Sequence, residues 1–147
     1  MKIKLMRILV CMLLILPIFS STTVADPGSE LKIHIVGSLP LPYYSIVVGG
    51  VIANIGDTPA YNISYKMTIR GGIRNTIDET NEGYEKEILP GNALGIGIAN
   101  TYGFGPVVIT VTASSSNTET ATATAKGFQI GGFTWIPLSW LFLLFNG

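Results

Sequence analysis

Apolar and polar side chains alternate along much of the chain after residue 30. The clearest run covers residues 61–70, where Tyr, Ile, Tyr, Met and Ile alternate with Asn, Ser, Lys, Thr and Arg. A period of two is typical of a strand that has one buried face and one wet face. The same period predicts strands at residues 31–35, 94–98 and 107–113, and a strict alternation of Thr and Ala predicts another at 120–126,.

Turn-forming residues separate these runs. Clusters of Gly, Pro, Asn, Asp and Ser lie at residues 54–59, 90–91, 102–106 and 114–117, and a β-branched run occupies 45–53,. About seven short strands with no helical pattern after the N-terminal segment predict an all-β fold. We expect a single immunoglobulin-like antiparallel β-sandwich preceded by a signal-peptide helix.

Three stretches give more local predictions. Gly49 and Gly50 interrupt the β-branched run, which predicts a bulge or a close backbone approach,. Residues 73–87 are rich in acids, and we expect a short edge hairpin whose charges prevent sheet-to-sheet aggregation,. Residues 128–136 can extend the last strand, and Pro137 then stops the ladder,.

The first 25 residues have the composition of an export signal. Lys2, Lys4 and Arg7 precede an uninterrupted apolar run at residues 8–19, and small residues follow up to Ala25,. The apolar run is shorter than the roughly 20 residues that span a bilayer as a helix, so a cleaved signal is favoured over a retained anchor. Both alternatives place the following domain outside the cytoplasmic membrane.

The C-terminal residues form a third segment of different character. We divide the chain into a signal peptide (1–25), an immunoglobulin-like β-sandwich (26–132) and an apolar tail (133–147) that contains no charged residue. One hypothesis is that the tail contacts a membrane surface, and the alternative is that it packs over the sandwich or against the signal region. The residues predicted to contact the membrane are Trp135, Trp140, Leu141 and Phe142,.

The composition excludes several classes of chemistry. The chain has a formal net charge of zero, but three of its nine basic residues lie in the signal segment, so the remainder is acidic and nucleic-acid binding is not expected,. Cys11 is the single cysteine and His34 the single histidine. Without a partner, His34 forms neither a catalytic triad nor a zinc set, and its place in the alternation predicts a solvent-facing side chain. We predict no catalytic residues, no cofactor and no enzyme activity.

Two further motifs concern metals and glycans. The acids of residues 78–87 are of the type that binds Ca²⁺, but they lack the order Asp-x-Asx-x-Asx-Gly of a Ca²⁺ loop, so no metal site is predicted,. Asn62 begins the sequon Asn-Ile-Ser on the wet face of the strand at 61–70,. Glycosylation of Asn62 is therefore feasible.

Two stretches of turn motifs resemble a known family. Residues 51–63 read Val-Ile-Ala-Asn-Ile-Gly-Asp-Thr-Pro-Ala-Tyr-Asn-Ile, and Leu-Pro-Gly at 89–91 precedes Gly-Pro-Val-Val-Ile-Thr-Val-Thr-Ala at 105–113. Over roughly residues 31–130 this pattern is similar to CARDB-like domains, which are immunoglobulin-like modules of bacterial and archaeal surface proteins. The resemblance implies an adhesive or spacing role and brings no catalytic residues with it.

These observations predict an exported, non-catalytic interaction or structural module at the cell surface or in the envelope. Its expected partner is an envelope protein or a glycan, with a possible contact to the membrane surface. The alternative is a membrane-seated subunit of a larger envelope assembly, held by the apolar C-terminal tail.

Overall fold

The computed structural model describes residues 28–38 and 46–137, except for the side chains of Ile46 and Val47. The predicted signal peptide and most of the apolar tail, including Trp140, Leu141 and Phe142, lie outside the described residues. The described elements are β1 (Leu31–Val36), β2 (Ile46–Asn54), β3 (Ala60–Gly71), a short 3₁₀ turn (Ile73–Asn75), β4 (Ile77–Ile88), β5 (Ala93–Ala99), β6 (Gly103–Ser114), β7 (Ala121–Gly131) and β8 (Phe133–Trp135).

The strands form two antiparallel sheets. The smaller sheet has the order β1-β2-β5, and the larger has the order β4-β3-β6-β7-β8. Strands β1, β2 and β5 correspond to A, B and E of an immunoglobulin-like sandwich, and β3, β6 and β7 correspond to C, F and G. The predicted all-β sandwich is confirmed, with β8 as an additional strand after β7.

Inward-facing side chains of the two sheets meet in one apolar core. In β3 and β6 the core residues recur at every second position, as the alternation predicts,. Fully burying such a side chain contributes roughly 1.5–3 kcal/mol. The buried side chains include Leu31, Val48, Ile52, Ile96 and Ile98 from the smaller sheet and Ile63, Met67, Ile69, Ile109 and Val111 from the larger.

The acid-rich residues 73–87 do not form the predicted short hairpin. A 3₁₀ turn is followed by one long strand, β4, which pairs along the full length of β3. Exposed ion pairs cross this pairing, one between Arg70 Nε and Asp78 Oδ1 at 2.8 Å and one between Lys66 Nζ and Glu82 Oε2 at 3.5 Å. The prediction was wrong because the partner of β4 is the strand before it, which no pattern within residues 73–87 reveals.

Two other local predictions are wrong in part or in whole: the glycine pair in β2 makes a close approach but no bulge, and residues 102–106 are not a turn. The irregularity in β2 lies between Ile46 and Val48, whereas Gly49 and Gly50 pair regularly with both neighbouring strands. A Cβ at Gly50 would lie 3.2 Å from Cγ1 of Ile96, so this glycine makes room for a core side chain. The turn expected at 102–106 is also wrong, because pairing of β6 with β7 already begins at Gly103.

The regular alternation of β3 breaks at its N-terminal end. Asn62 has a φ of 52°, and both Tyr61 and Asn62 are exposed between the buried residues Ala60 and Ile63. Tyr61 therefore does not share the buried face predicted for it. From Ile63 onward the predicted phase is correct.

The turn between β2 and β3 is organised by the buried side chain of Asn54. Its Nδ2 donates to the carbonyls of Thr58 at 2.8 Å and Ile88 at 2.9 Å, and its Oδ1 accepts from the amides of Gly56 at 3.1 Å and Glu30 at 3.3 Å. Three separate parts of the chain therefore depend on one amide group.

The same turn has no room for a side chain at Gly56. A Cβ at this residue would collide with the backbone of Gly28 and Glu30, which passes directly over the turn. The amide of Asp57 donates to the carbonyl of Gly28 at 3.0 Å, so the same approach is hydrogen-bonded. The sequence Asn-x-Gly-Asp at 54–57 therefore holds residues 28–30, which lead into β1, against this turn.

We expect Asn54→Ala to lower the free energy of unfolding by about 2–4 kcal/mol, because it leaves several buried backbone groups without partners. Urea denaturation of the full chain measures this loss. The exposed Asn92 provides a matched control, since Asn92→Ala removes no side-chain hydrogen bond of the described structure. Equal stabilities for the two variants would contradict the role given to Asn54.

Candidate interaction surface

Cross-strand register brings apolar side chains of β6, β7 and β8 together at one end of the outer face of the larger sheet. Residues directly opposite each other on neighbouring strands point to the same face. We name the resulting group the aromatic face. It comprises two cross-strand rows, Phe104, Ile130 and Phe133 in one and Pro106, Phe128 and Trp135 in the next.

The aromatic face is open to solvent in the described structure. Phe104 is 54% exposed, Ile130 55% and Trp135 53%, although each has a large apolar side chain. The rings of Phe104 and Phe128 contact edge to face with their centroids 5.3 Å apart,. Scattered exposed apolar residues are ordinary, but six in adjoining rows of a regular sheet form a contiguous patch of the type that marks an interaction site.

A buried polar cluster lies directly beneath the aromatic face. Gln129 points inward between Phe128 and Ile130, and its Nε2 donates to the carbonyls of Thr101 at 3.1 Å and Gly131 at 2.8 Å. Its Oε1 accepts a short hydrogen bond from Oγ1 of Thr134. Because Thr134 lies between Phe133 and Trp135, this bond holds β8 against β7 and fixes the outward direction of both rings.

The chain after β1 supports β8 from its other side. The amide of Ser38 donates to the carbonyl of Thr134 at 2.9 Å, and the amide of Thr134 donates to Oγ of Ser38 at 2.8 Å. Both backbone groups of Thr134 thus point away from β7. The three-residue strand β8 is therefore tied to both sheets and presents its two aromatic rings rigidly.

We expect Gln129→Leu to destabilise the protein by about 1–3 kcal/mol, because Thr134 Oγ1 and two carbonyls lose their buried partner. The free energy of unfolding from urea titrations measures the effect. Thr124→Leu is a suitable control, since Thr124 is exposed on the same strand. A stable Gln129→Leu variant with unchanged Trp fluorescence would show that the cluster does not position β8.

Charges are distributed unevenly around the aromatic face. The next row of the sheet contains Arg70, Val108 and Lys126 in register, so the charges nearest to the face on β3 and β7 are positive. The acids of β4 lie at the opposite edge of the sheet, where Asp78 and Glu82 pair with basic residues of β3. The aromatic face itself contains no carboxylate.

The structure describes two of the site residues predicted from sequence, Trp135 and Asn62, and they lie in different regions. Trp135 belongs to the aromatic face, whereas Trp140, Leu141 and Phe142 lie outside the described residues. Asn62 lies towards the opposite end of the larger sheet and is exposed. Its Oδ1 accepts from Tyr84 Oη at 2.6 Å and its Nδ2 donates to Ser116 Oγ at 3.4 Å, so the sequon amide is held at the surface.

Sequence reasoning missed most of the aromatic face. Phe104 and Pro106 were assigned to a turn, and Phe128 and Ile130 were expected to extend the last strand but were not recognised as part of an outward-facing patch. The alternation of β7 could have revealed Phe128 and Ile130 as outward-facing residues. They continue the series of outward positions at Thr122, Thr124 and Lys126. For Phe133 and Trp135 the signal is Gly131-Gly132, because two glycines between strands favour a two-residue hairpin turn,. Gly131 has a φ of 58°, and Ile130 pairs with Phe133 across this turn.

His34 lies at the junction of the two sheets and is half-buried rather than fully exposed. It lines a groove with Ile33, Ile35 and residues of β7. Desolvation by this burial is the larger cause that lowers the pKa of His34, and the charge of Lys32 lowers it further,. The predicted solvent-facing position is therefore only partly correct.

Folding favours the neutral form of His34, because its folded-state pKa lies below the ordinary value of 6.5. The corresponding contribution to stability is present above pH 6.5 and is lost as the pH falls below that value. We expect His34→Gln to flatten this part of the pH dependence. Urea midpoints of the wild type and the variant between pH 7.5 and 5 test it, and parallel profiles would contradict it.

A depression of about 530 Å³ lies on the outer face of the larger sheet. It is lined by Tyr65, Lys66, Glu82 and smaller residues, and the Lys66–Glu82 ion pair lies in its wall. Within residues 28–38 and 46–137, no three His, Cys, Asp or Glu side chains converge into a group that could hold a metal ion. Among the same residues there is also no helix with the length and apolarity required to span a bilayer.

No family model, curated protein or solved structure matches this chain. The resemblance to CARDB-like domains therefore stays a prediction that rests on the turn motifs alone.

Proposed function

We propose that the protein is an exported, non-catalytic interaction module of the cell envelope and that the aromatic face is its contact surface. The exposed aromatic face is the observation that carries this proposal. Export is supported by the cationic and apolar N-terminal segment, which has the order of a signal peptide,. A non-catalytic role is supported by the single histidine and by the absence of cysteine from residues 26–147.

The chemistry of the aromatic face favours the interfacial region of a membrane as its partner. Trp is enriched at the boundary between headgroups and acyl chains, and Phe and Ile side chains suit the apolar side of that boundary. Lys126 in the adjoining row suits the phosphates of lipid headgroups, whereas Arg70 in the same row is paired with Asp78,. A glycan would instead require polar groups placed among the rings, and the six side chains of the aromatic face include only one, the indole NH of Trp135.

We expect the protein to co-sediment with vesicles that contain anionic phospholipid. The double variant Phe133→Ser/Trp135→Ser should bind these vesicles at least about tenfold more weakly, which corresponds to a loss of about 1.4 kcal/mol in binding free energy. Each lost ring removes apolar area that would be buried in the interface. Vesicles of purely zwitterionic lipid measure the contribution of Lys126.

Tyr84→Ser is the matched control for this experiment. Tyr84 is 60% exposed on the same outer face but lies far from the aromatic face. Its substitution should leave vesicle binding unchanged. If the wild type stays in solution, or if both variants bind equally well, the aromatic face is not a membrane contact.

A second candidate is contact with another envelope protein, for which the turn motifs at 51–63 and 89–91 provide the support. CARDB-like domains are associated with adhesion or spacing at the cell surface. Crosslinking of the chain in intact envelopes distinguishes the two proposals, because a protein partner gives a discrete adduct that Phe133→Ser/Trp135→Ser abolishes. In that outcome the aromatic face keeps its role as a contact surface, with a protein in place of lipid.

A further inference from the structure

The larger sheet has a strand edge that its own described residues leave uncovered. Strand β8 pairs with only three residues of β7, namely Phe128, Gln129 and Ile130. From Ala121 to Gly127, β7 pairs with β6 on one side and with no described strand on the other. Unpaired strand edges of this type are templates for pairing with another segment.

A groove runs beside this edge, between β7 and β1. Its volume is about 300 Å³, and it is lined by Ile33, His34 and Ile35 on one side and by Ala123, Thr124 and Ala125 on the other. The inward-facing alanines of β7 are only partly buried, whereas inward-facing residues of β6 such as Ile109 and Val111 are fully buried. At this junction the described residues leave the core of the sandwich incomplete, because the inward side chains of β7 are too small to fill it,.

The chain itself leads into this groove after β8. Ile136 is buried in the core at 6% exposure, and both Ile136 and Pro137 line the groove. Ile136 continues the inward phase of Thr134. Residues 138–147 follow directly and contain no charged side chain.

We propose that residues 138–142 of the same chain occupy the groove as an extension of β8 along the free edge of β7. The observed pairs Phe128–Trp135, Gln129–Thr134 and Ile130–Phe133 define an antiparallel register. If the same register continues past residue 137, the inward side chains of residues 138–142 lie opposite the small inward side chains of β7. The pairs are Leu138 with Ala125, Trp140 with Ala123 and Phe142 with Ala121.

This size match is the main support for the proposal. Cores pack best when large side chains of one strand face small side chains of its neighbour. The inward positions of β7 from Ala121 to Gly127 are all alanine or glycine. The outward positions of the extension would be Ser139 and Leu141, beside Thr124 and Thr122. A single-residue slip would place Trp140 and Phe142 in solvent, so the burial gained also specifies the register.

Pro137 determines where this ladder is interrupted. The backbone groups of Thr134 bond to Ser38 and therefore face away from β7. Its neighbours Phe133 and Trp135 then face β7, because hydrogen-bonded residues alternate along an antiparallel strand. The next residue of β8 expected to bond to β7 is residue 137. Proline has no amide hydrogen to donate, so the bond to Lys126 is missing and pairing resumes at Ser139. The proposal assigns Trp140 and Phe142 to the core rather than to a membrane contact, and it does not depend on the proposed function of the aromatic face.

A disulfide between Thr122→Cys and Leu141→Cys tests the register in the full chain with Cys11→Ser. The two residues are directly opposite in the proposed pairing, within the Cα separation of 4.4–6.8 Å typical of disulfides. Both side chains point outward, so the inward residues that fill the groove stay unchanged. We expect an intramolecular disulfide after mild oxidation, seen as a reduction-sensitive shift in gel mobility of the monomer.

The control pair is Thr110→Cys with Leu141→Cys. Thr110 lies on the same face but on β6, one strand further from the proposed extension, and at that distance a disulfide does not form,. Absence of the disulfide in the test pair, or equal formation in both pairs, overturns the proposal. A disulfide-linked dimer also overturns it, because the strand then comes from a second copy of the chain.

Hydrogen exchange provides an independent measurement that does not require cysteines. We expect Trp140→Ser/Phe142→Ser to lower the protection of amides in residues 121–127 at least about tenfold, and the outward control Leu141→Ser/Leu143→Ser to leave it unchanged. Amides of β3 report whether each variant is still folded. Equal protection of residues 121–127 in the two variants would overturn the proposal.

Discussion

The pleat of β6 and β7 is the constraint on which the rest of this structure depends. Successive side chains of a strand point to opposite faces, so one choice of register decides the position of every residue on both strands. With the observed register, Val107, Ile109 and Val111 enter the core while Phe104 and Phe128 face outward. A slip by one residue would bury the aromatic rings and expose the valines.

Two polar side chains buried in the core stabilise this register. Gln129 and Asn54 are both completely buried, at opposite ends of the sandwich, and each bonds to backbone groups that belong to other strands or turns. A buried amide is favourable only in an arrangement that satisfies its donors and acceptors, so each one disfavours alternative pairings. The apolar core supplies most of the stability, whereas these two residues select the geometry.

The period of two was sufficient to predict the sandwich, because it is a local property of each strand. The inward positions of β6 and most of those of β3 follow from it directly. It failed where pairing between segments decides the outcome. The acids after Ile77 form one strand because β3 offers a full-length partner, and Phe133 and Trp135 join the sheet because Gln129 and Ser38 hold Thr134. Composition close to these residues indicates turns or a tail. The pattern within one segment does not show which segment it pairs with, and Ser38 lies 96 residues before Thr134.

The chain enters the sandwich at the end opposite to the aromatic face. Ser29 Oγ donates to the carbonyl of Asn117 in the turn between β6 and β7, whereas the aromatic face begins at the other end of β6. Strand β6 has 12 residues, so at about 3.3 Å per residue the two ends are separated by roughly 35–40 Å,. If the aromatic face is the contact surface proposed above, the turn around Asn54 therefore lies roughly 35–40 Å from what that face contacts. The length of the longest strands determines this separation.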